Sequence, residues 1–155
     1  MSDTRNYPPA TLIKRLLVIV YDLLLLIAVA FTLGVAMSIL TTFILNSGNA
    51  ITEEHPYYLL NQFLVLLTIF IAGLIFYGWF WTHGGQTLGM KTWRLKLIAN
   101  NAEKVSWEMA IKRYFAALLS WSVFGLGFIW SLIDNKKRCW HDILSESQLI
   151  QLDKK

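Results

Sequence analysis

Three long apolar runs dominate the pattern of hydrophobic and polar positions along this chain. The first run covers residues 16–45 and contains a single charged residue, Asp22. Because the hydrocarbon core of a bilayer needs about 20 apolar residues in a helix, this run predicts a transmembrane helix over about 12–45. The run is longer than the apolar core of a secretory signal, so we expect it to stay as an uncleaved anchor.

A second apolar run, residues 58–81, predicts a second transmembrane helix. Residues 46–57 join the two runs and contain Glu53 and Glu54 but no lysine or arginine. Cytoplasmic loops of membrane proteins are enriched in lysine and arginine. The sequence therefore predicts that this loop lies outside the cell and that the N-terminus is cytoplasmic.

The third apolar run, residues 114–133, is interrupted by a Gly-Leu-Gly break at 125–127 and has basic residues at both ends. A straight span would place the second basic flank outside, against the positive-inside rule. A hairpin keeps both flanks inside, and irregular backbone is tolerated at membrane depth where protein or water surrounds it. We therefore favour two short helices, about 107–122 and 126–137, over a straight third span.

Residues 82–113 form a basic segment, which the positive-inside rule predicts to be cytoplasmic. Within it, residues 93–98 alternate apolar and basic side chains, which is typical of a half-buried strand. Residues 147–152 predict a second strand that can pair with the first if both lie on one side of the membrane. The predicted fold is an all-α membrane protein with two transmembrane helices, a re-entrant or short-helix hairpin and a small cytoplasmic β-pair. It forms a single domain over residues 1–155, with a polar lead at 1–11.

The composition agrees with a membrane protein, since 55% of the 155 residues are hydrophobic and 15% are charged. Soluble domains have about 25% charged residues. The lipid bilayer is therefore the expected partner. The net charge of +4 does not indicate nucleic-acid binding, because the basic residues flank apolar runs. The single cysteine, Cys139, excludes an internal disulfide.

Two segments resemble ligand sites but lack the full pattern. Residues 84–92 nearly match a phosphate-binding loop, yet Met90 is inserted before the lysine and a membrane helix precedes them. Cys139, His141 and Asp142 do not have a recognised zinc spacing. The alternate spacing of Cys139 and His141 also predicts that their side chains point apart, which argues against a nucleophile–base pair. We therefore expect no metal, no cofactor and no enzymatic activity.

Asp22 is the strongest functional candidate, because an acid within a membrane helix is costly and usually functional. We expect it to face protein or water rather than lipid, in one polar interior with Arg15 on the same helical face. Burial would allow such an acid to relay protons. The alternative is a structural ion pair of Asp22 with Arg15, Arg113 or Arg138 that fixes helix packing.

The order and spacing of several motifs resemble the RDD family of small bacterial membrane domains. The resemblance rests on Arg15 and Asp22 in the first helix and on the glycine turn at 85–89 before a basic strand. It rests also on the late L-I-D-x-x-x-R-x-x-H-D pattern at 132–142. The resemblance covers most of the chain and implies a location in the bacterial inner membrane.

The RDD family is named for one arginine and two aspartates. The resemblance implies that Arg15 is the arginine and that Asp22 and Asp142 are the aspartates, with Asp134 as the alternative second aspartate. Asp142 follows His141 and could accept a proton. Its structural alternative is a salt bridge to a basic neighbour in the sequence: Lys136, Lys137 or Arg138.

The resemblance implies no settled biochemistry; it suggests transport, with a link of some members to cation–proton exchange. We therefore predict a transport or transport-accessory protein in which Arg15, Asp22 and Asp142 form a polar cluster reached from the cytoplasm. So few helices can hardly enclose a solute path, and transport would need a homo-oligomer or a membrane partner protein. The rival prediction is a structural or assembly factor whose buried charges only hold the bundle together.

Overall fold

The computed structural model describes residues 7–101 and 104–153. Its elements are α1 (Leu12–Asn46), α2 (Tyr58–His83), α3 (Leu88–Thr92), β1 (Leu95–Ala99), α4 (Trp107–Ser122), α5 (Leu126–Ile129), a 3-10 helix (Trp130–Leu132), α6 (Trp140–Leu144) and β2 (Ser147–Gln151). The chain forms two compact units. One unit comprises the residues up to Asp22 and those from Phe76 onward, and the other is Leu23–Ile75.

Within the described residues, α1 and α2 are long and apolar enough to cross a membrane. The two long apolar helices that the sequence predicted are therefore confirmed, and each ends only one or two residues later than the sequence indicated. Large apolar side chains on both helices are exposed, with Phe31 at 73% and Leu59 at 77%. Such a surface suits hydrocarbon, in which a helix satisfies its own backbone hydrogen bonds.

In the unit Leu23–Ile75, α1 and α2 pack through small and polar side chains. The hydroxyl of Thr41 donates a hydrogen bond to the amide oxygen of Asn61. At Gly34, an added Cβ would lie 3.5 Å from Val65. Close backbone approach and interhelical hydrogen bonds are the usual means by which helices associate within membranes.

In the other unit, β1 and β2 pair antiparallel, with Leu97 opposite Leu149. This pairing confirms the predicted β-pair. Both leucines belong to a buried core that includes Val18 of α1 and Met90 of α3. The backbone N–H of Ala10 donates to the carbonyl oxygen of Leu149, so the sheet also holds the chain just before α1.

The strand β1 begins at Leu95 and not at Trp93, where the sequence pattern placed its start. The preceding residues form α3, which has Thr87 as its N-cap and Trp93 as its C-cap. Arg94 then has a φ of 54°, a left-handed conformation that interrupts the extended backbone. The glycine turn before α3 requires Gly85, because its φ is +71° and an added Cβ would lie 2.5 Å from a backbone oxygen of β1.

The helix α4 and the helical segment that follows it meet at an angle of 109°. This shape confirms the two short helices and is not that of a straight third span. At the bend, Phe124 and Gly125 have φ angles of 56° and 77°, and Phe124 is 97% exposed at the tip. The two arms are close together, because a Cβ added at Gly127 would lie 2.0 Å from Oγ of Ser120.

The second arm of the hairpin is shorter than the predicted helix 126–137. Its helical residues end at Leu132. Asp134 turns the chain, because its Oδ2 accepts a hydrogen bond of 3.0 Å from the backbone N–H of Arg138. Lys137 within this turn has a φ of 53°, which excludes a continuous helix.

Candidate functional site

Asp142 lies between two arginine side chains in the interior of the protein. Its Oδ2 is 2.7 Å from Nη1 of Arg15, and its Oδ1 is 2.7 Å from Nη2 of Arg113. At most 4% of any of these side chains is exposed. We call Arg15, Asp142 and Arg113 the ionic triad. Two guanidiniums around one carboxylate leave the triad with a formal excess of positive charge.

Local backbone geometry positions each member of the ionic triad. Asp142 lies in the first turn of α6, where its carboxylate accepts a hydrogen bond of 2.9 Å from the backbone N–H of Cys139. An acidic side chain is favourable at that end of a helix. Arg113 donates from Nη1 to Oγ of Ser147 at 2.9 Å. Arg15 lies near the start of α1, so the triad joins α1, α4 and α6.

Asp142 does not form the salt bridge to its sequence neighbours that was its predicted structural alternative. Its two oxygens contact Arg15 and Arg113 instead. The reason is that α6 turns Asp142 inward, where it is fully buried, whereas the basic residues of the preceding turn are exposed or half-buried. Three neighbours were candidates for that salt bridge: Lys136, Lys137 and Arg138.

Asp134 and Arg138 pair with each other outside the ionic triad. Arg138 Nε lies 3.1 Å from Asp134 Oδ2, and Arg138 Nη2 donates to Asp134 Oδ1 at 3.1 Å. Hydrogen bonds from Arg138 lower the pKa of Asp134 to about 2. Asp134, the alternative second aspartate, therefore does not pair with Arg15. It pairs with Arg138 instead.

Asp22 is 1% exposed, and its partners are neutral donors. Its Oδ2 accepts a hydrogen bond of 2.6 Å from the hydroxyl of Thr87, and its Oδ1 accepts one of 2.9 Å from the backbone N–H of Gly89. Burial agrees with the prediction that Asp22 faces away from lipid. The predicted structural ion pair is wrong, because α3 supplies donors to the carboxylate in place of a guanidinium. Three arginines were candidates for that ion pair: Arg15, Arg113 and Arg138.

Thr87 and Gly89 are functional candidates that the sequence reasoning missed. Thr87 is fully buried; its hydroxyl donates to Asp22 and accepts a hydrogen bond from the backbone N–H of Met90. At Gly89, an added Cβ would lie 2.8 Å from Oδ1 of Asp22, so only glycine allows this approach. The threonine between the glycines of 85–89 was the available signal, but it was interpreted as part of a turn.

A cavity of about 150 Å³ lies beside the ionic triad. It brings together charged and polar side chains that the sequence had singled out, from α1, α4 and α6: Arg15, Asp22, Arg113 and His141. Aromatic side chains form much of the remaining wall: Tyr77, Trp81, Tyr114, Trp121 and Phe128. The cavity thus combines fixed charge with a largely apolar surface.

The ionic triad sets the protonation states around it. Burial alone raises the pKa of Asp142, but the guanidiniums of Arg113 and Arg15 outweigh burial and hold that pKa well below its usual range. Burial lowers the pKa of His141 to about 3, and the positive charge of Arg113 acts in the same direction. At neutral pH, Asp142 is therefore ionised and His141 is neutral.

Cys139, His141 and Asp142 each place one potential metal ligand within 4.8 Å of the others. The prediction that Cys139 and His141 point apart is wrong, because Cys139 is the N-cap of a short helix and not part of an extended strand. The surroundings oppose a cation, since two guanidiniums contact Asp142 and burial raises the pKa of Cys139 to about 11. A metal site needs a deprotonated thiol, so the absence of a metal stays our prediction.

Comparison with known proteins gives one family and one relative. The model of the RDD family matches residues 9–146. The chain is similar to a protein of Bacillus subtilis (strain 168) named Uncharacterized protein YxaI, with 31% identity over 127 residues. The aligned region covers 73% of this chain and 83% of the relative. No solved structure gives a significant match. The family match includes the ionic triad and Asp22.

Proposed function

This chain belongs to the RDD family, and we propose that it is a bacterial inner-membrane protein with a transport or transport-accessory role coupled to a cation or to protons. The observation that carries this proposal is the burial of Asp22 against a cavity that Arg15 and Arg113 also line. Ionisable groups within membrane segments commonly mark ion or proton pathways.

The contacts of the two buried aspartates assign them different parts in this proposal. Asp142 is held by two fixed cations, whereas Asp22 contacts the neutral donors Thr87 and Gly89. A carboxylate with a fixed counter-charge loses an ion pair when it binds a proton or a cation. A carboxylate held by neutral donors loses only hydrogen bonds, which costs less. Asp22 is therefore the exchangeable acid, and the ionic triad is the scaffold beside it.

The proposed orientation follows from charge. With the N-terminus and the basic segment 82–113 in the cytoplasm, the positive-inside rule is satisfied. The β-pair then lies on the cytoplasmic side, and α4 with α5 forms a re-entrant hairpin. Because the chain has few long helices, a transport path requires a homo-oligomer or a membrane partner protein.

Flux through liposomes tests the role of Asp22. The native chain, reconstituted with an imposed cation gradient, is expected to change the internal pH reported by a trapped dye. The Asp22→Asn variant is expected to lose this signal, because an amide cannot bind a proton or a cation as a carboxylate does. Asp134→Asn is the matched control, since the same change is made at an acid outside the cavity, and it should keep native flux.

A structural or assembly factor is the second candidate function. It is favoured by the engagement of both buried carboxylates, since each oxygen of Asp22 and Asp142 has a hydrogen-bond or ion-pair contact among the described residues. Buried charge networks can fix packing without any transport. Equal flux from the native chain and Asp22→Asn, or none from either while both are folded, would support this candidate. A large loss of thermal stability in Asp22→Asn without loss of flux would do the same.

We also propose that the protein is not an enzyme and uses no cofactor or nucleic acid. Cys139 is the one cysteine of the chain, and burial raises the pKa of its thiol to about 11. The thiolate, which is the nucleophilic form, is therefore scarce at neutral pH. An assay for hydrolysis of thiol-reactive esters by the folded protein should give no turnover.

A further inference from the structure

Two buried ring nitrogens at the cavity have no hydrogen-bond partner in the part of the chain that the structure describes. They are Nε1 of Trp81 and Nδ1 of His141. Both side chains line the cavity, and they are only 6% and 5% exposed. Buried polar atoms are nearly always hydrogen-bonded, because an unsatisfied one is costly. A hydrogen-bonding molecule that enters this cavity would give the two nitrogens the partners they lack.

The cavity wall offers more hydrogen-bond donors than acceptors. The indole of Trp81 can only donate, and a guanidinium carries five N–H groups and no acceptor. Arg15 and Arg113 both line the cavity, whereas Asp142, which pairs with them, does not. Asp22 is the lining carboxylate, and each of its oxygens already accepts a hydrogen bond. Trp81 and the two guanidiniums therefore favour a ligand that brings an acceptor, whereas Nδ1 of neutral His141 donates or accepts according to its tautomer.

The size and the apolar walls of the cavity define the rest of the ligand. The volume is about 150 Å³, and apolar cavities of about that volume bind a molecule such as benzene. We propose that the cavity binds a molecule the size of one aromatic ring that carries a carbonyl or carboxylate acceptor, with the acceptor at Trp81 and the two guanidiniums. Such binding does not depend on flux, so it can hold or fail independently of the proposed transport role.

Titration of the detergent-solubilised native chain with four single-ring probes tests this proposal. The probes that carry an acceptor are acetophenone and benzoate. The control probes are toluene, which has no polar group, and benzylamine, whose ammonium group can only donate. Ligand-observed NMR measures binding, with empty micelles as the blank for partitioning into detergent. At least one acceptor probe should bind saturably and about three- to tenfold more tightly than toluene, the effect of one hydrogen bond. Tighter binding of acetophenone would indicate a neutral ligand, and tighter binding of benzoate would indicate an anionic one.

Two comparisons locate the binding site: Ala117→Phe against Leu119→Phe, and Trp81→Phe against the native chain. Ala117 lines the cavity, so Ala117→Phe should fill it and abolish binding, whereas Leu119→Phe, on the exposed side of the same helix, should not. Cζ of Arg113 lies 5.5 Å from the ring centroid of Trp81. Trp81→Phe removes the indole N–H but keeps an aromatic ring near this guanidinium. This variant should weaken the binding of the acceptor probe about three- to tenfold and leave the binding of toluene unchanged.

Three results would overturn the proposal: no saturable binding to the native chain, equal binding of toluene and both acceptor probes, or native binding by Ala117→Phe. If Trp81→Phe does not fold, the comparison of Ala117→Phe with Leu119→Phe and the order of the probes still decide the matter. Loss of flux in Asp22→Asn has no bearing on these outcomes.

Discussion

The hydroxyl of Thr87 donates a hydrogen bond of 2.6 Å to Asp22, although 65 positions separate the two residues. The hydroxyl of Thr87 also accepts a hydrogen bond from the backbone N–H of Met90, so Thr87 is the N-cap of α3. An acid in an apolar helix is costly unless donors reach it. The glycine turn after α2 therefore has a definite part in the site, because it delivers those donors to Asp22.

Replacement of Thr87 by valine tests this contact. Valine has nearly the same shape but no hydroxyl, so Asp22 loses a donor and α3 loses its N-cap. We expect Thr87→Val to lower the free energy of unfolding by about 1–3 kcal/mol, measured by denaturation in detergent. Thr87→Ser keeps the hydroxyl and should lose much less. Equal losses from both variants would show that shape, and not the hydrogen bond, determines stability here.

A methyl group at Gly89 should disrupt the same site by another route. Its Cβ would lie 2.8 Å from Oδ1 of Asp22 and 2.8 Å from the backbone oxygen of Val18. Gly89→Ala should therefore lower the midpoint of thermal unfolding. Gly84→Ala is the matched control, because a Cβ added there meets no atom within 4 Å. A midpoint for Gly89→Ala as high as that for Gly84→Ala would contradict the close approach.

Neutralisation of Asp142 should be far more damaging than neutralisation of Asp134. Asp142→Asn leaves the guanidiniums of Arg15 and Arg113 buried without their counter-charge. Removal of one partner from a buried ion pair costs about 3–5 kcal/mol. Asp134→Asn breaks only a partly exposed pair, for which we expect a small change. Denaturant unfolding of both variants measures the difference, and similar losses would refute the central place of the ionic triad.

His141 should make stability depend on pH in the mildly acidic range. Burial and the charge of Arg113 lower its pKa to about 3, against about 6.5 in an unfolded chain. Between these values the unfolded chain binds a proton that the folded chain does not. Stability should therefore fall as pH drops below about 6.5, by up to about 1.4 kcal/mol per pH unit.

The variant His141→Gln should remove this contribution and flatten the curve of unfolding free energy between about pH 6.5 and 5. Aspartates also contribute to acid unfolding, but the low pKa of Asp142 confines its effect to pH values below about 4. His83→Gln is the matched control, since His83 is exposed. A curve for His141→Gln as steep as that of the native chain would contradict the neutral buried imidazole.

The sequence predicted the elements well where one physical signal dominates. Unbroken apolar length determined α1 and α2, and glycines between basic flanks indicated the bend after α4. The boundaries that were wrong depend on single backbone conformations. Arg94 delays β1 with a φ of 54°, and the turn at Asp134 ends the second arm at Leu132. A residue other than glycine at positive φ has no periodic pattern that reveals it.

The members of the site were easier to predict than their pairing. Helical periodicity placed Asp22 and Arg15 on one face, and both do line one cavity. Their partners, however, come from distant segments that tertiary packing brings together. Thr87 reaches Asp22, and Asp142 reaches Arg15. Sequence spacing carries no information about which donor contacts which carboxylate, so the alternative that gave Asp22 an arginine partner was wrong.

Cysteine labelling tests the orientation of the chain. In a Cys139→Ala background, which removes the buried thiol, we expect Asn100→Cys and Asp153→Cys to react with a membrane-impermeant reagent only after permeabilisation. The reason is that β1 and β2 pair and the basic segment favours the cytoplasm. Asn49→Cys, in the acidic loop, should react in intact cells. Labelling of Asp153→Cys in intact cells would refute the cytoplasmic β-pair and the re-entrant hairpin together.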